Sequence, residues 1–177
     1  MCVSIMCMCE NSERGERNRV GQKREKKNRA WPPSFRLFPA TPSYICPTLF
    51  LSPLFSFFPH LYFRYSAYAD FAIIYIEEAH PSDGWATGGN NPLIATHHCM
   101  GDRIAAATTL RDVGGVPSVC QVYVDYLDNA AEKAYGALFE RLYILRGGRV
   151  VYQGGRGPTG YKINEVEAWL QKEFPSV

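Results

Sequence analysis

Residues 70–85 read DFAIIYIEEAHPSDGW, and the change of character halfway along this stretch sets the architecture. Its first half is short and almost continuously apolar, as in a strand covered on both faces, which is the signature of a parallel sheet. Its second half is polar and broken by Pro81 and Gly84, so the chain leaves the sheet into a loop. Working outward, residues 102–113 have helical spacing, with Ile104, Ala107 and Leu110 on one face and Gly114-Gly115 as a stop. Residues 119–125 read as a second strand, and 129–136 as a short helix with Asn129 at its N-cap. Residues 141–146 and 149–153 flank Gly147-Gly148, the pair favoured in a primed hairpin turn. Residues 164–174 form an amphipathic helix that turns Val166, Trp169, Leu170 and Phe174 to the sheet. Strands separated by helices imply parallel pairing through crossovers, and the hairpin adds an antiparallel edge. The expected class is α/β, with a mixed sheet.

The first part of the chain differs in character. Residues 10–29 are charged and poor in apolar side chains, so disorder is expected there. Residues 31–63 are aromatic and proline-rich. Pro47, Pro53 and Pro59 interrupt the apolar run at 45–63 and argue against a regular helix or a membrane span. Composition therefore divides the chain into a disordered or proline-aromatic segment, 1–67, and a folded domain, 68–177. A net charge of only +2 over 177 residues gives no reason to expect a nucleic-acid partner. The six cysteines are irregularly spaced and form neither a disulfide framework nor a paired CxxC metal site.

The densest chemistry lies where the first strand ends. Tyr75, Glu77, Glu78, His80, Asp83 and Trp85 fall within eleven residues, YIEEAHPSDGW. The carboxyl ends of parallel strands are where ligands collect in open α/β sheets. Strand alternation puts Tyr75 with Glu77 and Ile76 with Glu78. Glu78 and His80 share a side if the extended geometry continues, and a carboxylate beside an imidazole suits proton delivery near neutral pH. His97-His98-Cys99 supplies further imidazoles, although nothing in the spacing enforces a metal site, and none is expected. Arg156, among the glycines of YQGGRGP, presents a fork of donors to an anionic oxygen.

Two blocks, DFAIIYIEEAHPSDGW at 70–85 and AYGALFERLYILRGGRVVYQGGRGPTGY at 134–161, closely resemble the iodothyronine deiodinases. The resemblance covers about residues 68–175. It implies a thioredoxin-like fold and reductive removal of iodine from thyroid hormones. It also implies a selenocysteine nucleophile, a thiol reductant as co-substrate and no bound cofactor. Homodimers and membrane association are implied as well, although no clear transmembrane segment is present here. On this resemblance Glu78, His80 and Tyr75 are catalytic, and His97 and Arg156 bind substrate. YQGGRGP is closest to the inner-ring-acting members, but which ring loses iodine stays open.

The family's selenocysteine segment precedes EEAH. The corresponding region here, PSYICPTLFLSPLF at 42–55, does not match it. Cys46 is the one candidate substitute nucleophile, and its flanks differ from the family's. The expectation is that residues 1–64 are not the native lead-in to the domain and that the chain as written has little or no deiodinase activity. The alternatives are a thioredoxin-like thiol oxidoreductase or peroxidase using Cys46 or Cys120, and a non-catalytic iodothyronine-binding fragment.

Overall fold

The structure is a computed structural model and describes residues 6–10, 36–37, 53–86, 93–157, 159–160 and 162–176, with side chains from residue 57 onward. Cys46, nearly all of the charged run and the first part of the proline-rich run lie outside the described residues.

The apolar half of the opening stretch is a strand, Ala69–Tyr75. Every residue from Phe71 to Ile76 is buried, as expected of a strand covered on both faces. In chain order the strands are β1 (Met6–Glu10), β2 (Arg36–Leu37), β3 (Ala69–Tyr75), β4 (Gln121–Val124), β5 (Leu142–Arg146) and β6 (Arg149–Gln153). The helices are α1 (Pro53–Tyr65), α2 (Met100–Val113), α3 (Ala130–Tyr135) and α4 (Ile163–Glu173). Among the described residues the strands form one mixed sheet, ordered β2-β4-β3-β1-β5-β6.

β3 and β4 are parallel, with Ala72 opposite Gln121 and Tyr75 opposite Val124. Their crossover is α2, because parallel neighbours cannot be joined by a tight turn. β5 and β6 are antiparallel around Gly147-Gly148. Both glycines have positive φ, 56° and 78°, as a primed turn requires.

Period-two alternation divides β3 between two cores. Phe71, Ile73 and Tyr75 join Phe58, Leu61 and Tyr65 of α1, Ala106, Ala107 and Leu110 of α2, and Val166 and Leu170 of α4. Ala72, Ile74 and Ile76 pack instead with Tyr123, Ala131, Ala137 and Tyr143. Trp169 and Phe174 lie partly buried against the first core, completing the expected apolar face of α4.

Three features depart from the sequence reading. The run expected to be irregular ends in α1, a helix with Pro59 inside it. Pro53 occupies its first position, where no backbone donor is needed. Phe58, Leu61 and Tyr65 then bury one stripe, with the Phe58 ring edge-on to Phe71 at 6.0 Å. That burial outweighs the hydrogen bond Pro59 cannot make. Second, nothing in the first nine residues suggested a fold, yet Met6–Glu10 runs between β3 and β5, antiparallel to the former and parallel to the latter. β3 is buried, so the backbone groups along both its edges need partners, and Met6–Glu10 supplies one set. Third, Asn129 occupies the position before α3 but is left-handed, with φ 56°, and makes no side-chain cap. Asp125 performs that role, with Oδ1 accepting from the Ala131 amide and Oδ2 from the Glu132 amide, each at 2.9 Å.

Candidate active site

The site assembles where β3 and β4 end. The Asp125 amide donates to the Tyr75 carbonyl at 2.9 Å, carrying the ladder one residue past β4. β3 ends at Tyr75, so the strand alternation expected to run through Glu78 is no longer enforced by sheet pairing. Tyr75 therefore meets Glu78 rather than sharing a face with Glu77. Its hydroxyl donates to Glu78 Oε2 at 2.7 Å, with Tyr75 fully buried and Glu78 6% exposed. Glu77 turns outward and accepts a short hydrogen bond from Asn129 Nδ2.

His80 does not take Glu78 as its partner. Its Nδ1 lies 3.1 Å from the Trp85 carbonyl oxygen, and its ring packs edge-on to the Trp85 ring at 5.1 Å and stacks on Phe139 at 6.4 Å. A ring held by that carbonyl carries its proton on Nδ1, because a carbonyl only accepts.

Asp83 holds the loop that carries Trp85. Its Oδ1 accepts from the Thr96 amide at 2.8 Å and the Thr96 hydroxyl at 2.9 Å. These two hydrogen bonds keep the Asp83 carboxyl below the usual range.

His97 reaches the same region from the segment leading into α2. Its ring centroid lies 5.7 Å from that of Tyr75. Arg103 of α2 donates from Nε to His97 Nδ1 at 3.3 Å. Burial, and secondarily the Arg103 charge, hold the His97 pKa below the ordinary value, against a smaller opposing pull from Glu78, Asp102 and Glu77. Arg103 itself is 2% exposed, and its Nη1 donates to the Tyr126 carbonyl and to Asn129 Oδ1, both at 2.7 Å.

Arg156 is exposed on the loop after β6 and is not hydrogen-bonded to His80. Arg141 fixes the base of that loop, donating from Nε to the Gly154 carbonyl at 2.8 Å and from Nη1 to the Gly136 carbonyl at 3.0 Å. The Gly157 amide donates to the Glu140 carbonyl at 2.7 Å. Gly155 must lack a side chain because a Cβ there would run into the Gly160 carbonyl. Any side chain on Gly136 would come within 3.6 Å of Arg156 Nη2, so the arginine lies beside the end of α3.

Tyr75, Glu78 and His97 thus sit together, with His80 two residues beyond Glu78 and Arg156 on a separate loop. The first three join a hydroxyl, a carboxylate and an imidazole at the strand end, and Arg156 is exposed beside the end of α3. Sequence reasoning missed Arg103, Asp125 and the bridging role of Asn129. One signal was available for Arg103: it shares a stripe with Ala106, Ala107 and Leu110, where a charge must find partners.

Cys120 has no nucleophilic role in this arrangement. It is buried, its Sγ is directed at the Phe71 carbonyl at 3.5 Å, and burial pushes its pKa up to about 12. A thiol in that state is not the thiolate that exchange chemistry requires. The thiol oxidoreductase reading loses its Cys120 form, and its Cys46 form lies outside the described residues.

Fold and site together define a mixed α/β protein of thioredoxin-like class, with Tyr75, Glu78 and His97 gathered at the carboxyl end of β3. The chain belongs to the iodothyronine deiodinase family, whose model matches residues 38–174. That range opens ahead of the boundary at 68 drawn from composition and takes in all of α1. Thyroxine 5-deiodinase of Gallus gallus is 52% identical over 104 residues, covering 59% of this chain and 39% of that protein. The Bos taurus and Homo sapiens proteins of the same name are 48% and 46% identical over 117 residues, covering 66% of this chain and 38% of each. The match spans a little under two fifths of the length of these curated relatives.

Proposed function

We propose that this domain serves reductive deiodination of an iodothyronine, and that the chain as written binds the hormone without turning it over. In the complete reaction a carbon–iodine bond breaks, iodine leaves as iodide, the ring carbon gains a proton, and two thiols are oxidised to a disulfide. The observation that carries the reading is the buried Tyr75–Glu78 hydrogen bond at the end of β3, in contact with His97 and two residues from His80. These groups hold a proton where a substrate carbon would need one. Tyr75, Glu78 and His80 are the residues we assign to that transfer. His97 and Arg156 are assigned to the hormone's oxygens, Arg156 through its charged fork. The curated relatives are named for the 5 position, which favours the inner ring for this chain too.

Turnover needs a soft nucleophile, which the family supplies as selenocysteine, and a thiol reductant. No recognisable selenocysteine segment precedes EEAH, and Cys46-Pro47 lies in foreign flanks. The homodimer and the membrane association belong to the same proposal. Among the described residues no helix is long and apolar enough to cross a membrane.

The test is thyroxine binding and iodide release measured side by side on the full chain. Saturable binding that Arg156→Ala weakens, with no iodide released in excess dithiol, is the expected result. Iodide release that disappears in Cys46→Ser would overturn the assignment of inactivity. Absence of binding at micromolar thyroxine would overturn the whole reading.

A further inference from the structure

His97 has one ring nitrogen accounted for and one left over. Nδ1 faces Arg103 Nε at 3.3 Å, while Nε2 is buried and has no hydrogen-bond partner among the described residues. An arginine only donates, so the nitrogen it faces must be an acceptor. The His97 proton then resides on Nε2, and a buried N–H without a partner is costly enough to call for an explanation.

Arg103 is well placed to impose this state. It is 2% exposed, anchored through Nη1 to the Tyr126 carbonyl and Asn129 Oδ1, and Asn129 is in turn held by Glu77. The guanidinium is therefore fixed by the loop after β4 as well as by its own helix. It does not ion-pair directly with a carboxylate among the described residues. Its charge faces a neutral ring on one side and a carbonyl and an amide on the other.

We propose that Arg103 is a positioning residue: it locks His97 as the neutral Nε2–H tautomer and so prepares that N–H to donate to an oxygen of the bound ligand. The ligand half rests on the proposed iodothyronine reading, in which the oxygen is a phenolate or carboxylate of the hormone. The tautomer half rests on geometry alone.

The experiment is long-range proton–nitrogen NMR on the full chain labelled with nitrogen-15 histidine, near neutral pH, with and without thyroxine. His97 is expected to show an acceptor-type Nδ1 and a protonated Nε2, and the Nε2–H resonance is expected to move on saturation with thyroxine. Arg103→Lys separates positioning from mere structural support. Lysine keeps the buried cation and places Nζ toward Tyr126 and Asn129, but it puts a methylene where Nε stood. The variant is expected to remain folded with His97 relaxing to a mixture of both tautomers. A His97 protonated on Nδ1 or on both nitrogens in the unaltered chain overturns the proposal without any variant. So does an Arg103→Lys protein that keeps the pure Nε2–H tautomer. A His97 resonance that stays still while thyroxine saturates the chain overturns the ligand half alone. If thyroxine does not bind at all, the functional reading falls and takes the ligand half with it, while a pure Nε2–H tautomer still supports the role of Arg103.

Discussion

The Tyr75 hydroxyl donates to Glu78 Oε2 at 2.7 Å inside the protein, joining the last residue of β3 to the first buried carboxylate beyond it. This bond ties the sheet to the EEAH segment. Tyr75→Phe removes the donor and keeps the ring. Hydrogen bonds to charged groups contribute about 1.5–3 kcal/mol, so the variant is expected to lose stability of that order. Urea unfolding at neutral pH checks it, and a loss well under about 0.5 kcal/mol would show that the bond is not a mainstay of the site.

Asp125 is 1% exposed and accepts from three amides, those of Tyr126, Ala131 and Glu132. Asp125→Ala leaves the Ala131 and Glu132 amides without their acceptor in a buried setting, while Asp128 still accepts from the Ala130 amide. The expected cost is at least about 2 kcal/mol, at the upper end for a helix cap. Asn129→Gly, which keeps the left-handed backbone available, is expected to leave the α3 cap intact and to loosen Arg103 and Glu77 instead. Comparing the unfolding midpoints of the two variants tests which residue caps the helix.

Burial holds His97 below its ordinary value of 6.5 in the folded protein. In the unfolded chain it titrates near that ordinary value. Between the two values the unfolded state binds the proton and the folded state does not, so stability rises with pH across this window. The contribution is complete above about pH 6.5 and is lost as pH falls through that value toward the folded pKa. The unfolding midpoint of the full chain is expected to drop between pH 7 and pH 5, and His97→Gln is expected to flatten the drop. An equal drop in both proteins would assign the effect to other groups.

Cys99 is exposed, whereas Cys120 is buried with its pKa pushed up to about 12. Iodoacetamide at neutral pH is expected to modify Cys99 readily and to spare Cys120 until the chain is unfolded. Peptide mapping after brief alkylation gives the answer. Modification of native Cys120 at a rate like that of Cys99 would reopen its candidacy as a reactive thiol.

Local pattern determined much of this protein without help. The apolar run at 70–76, the helix ending at Gly114-Gly115 and the Gly147-Gly148 hairpin each carry their signal within a few residues, because burial on both faces, helix termination and positive φ restrict which side chains fit. Tyr75, Glu78, His80, His97 and Arg156 were visible as candidates for the same reason: such residue types clustered after a strand are chemically conspicuous.

Only tertiary structure decided who meets whom. β3 ends at Tyr75, so its hydroxyl finds Glu78, while Glu77 turns to Asn129 and His80 to the Trp85 carbonyl. Strand alternation cannot say where it will stop. Packing against Phe71 overrides the proline that local rules place against α1, and backbone pairing with both β3 and β5 holds Met6–Glu10 in the sheet despite its unremarkable composition. Arg103 gains its meaning from Tyr126, Asn129 and His97, which lie on the loop after β4 and the segment before α2. Its charge tolerates burial because that convergence satisfies its donors, and convergence of distant segments is a property of the folded chain.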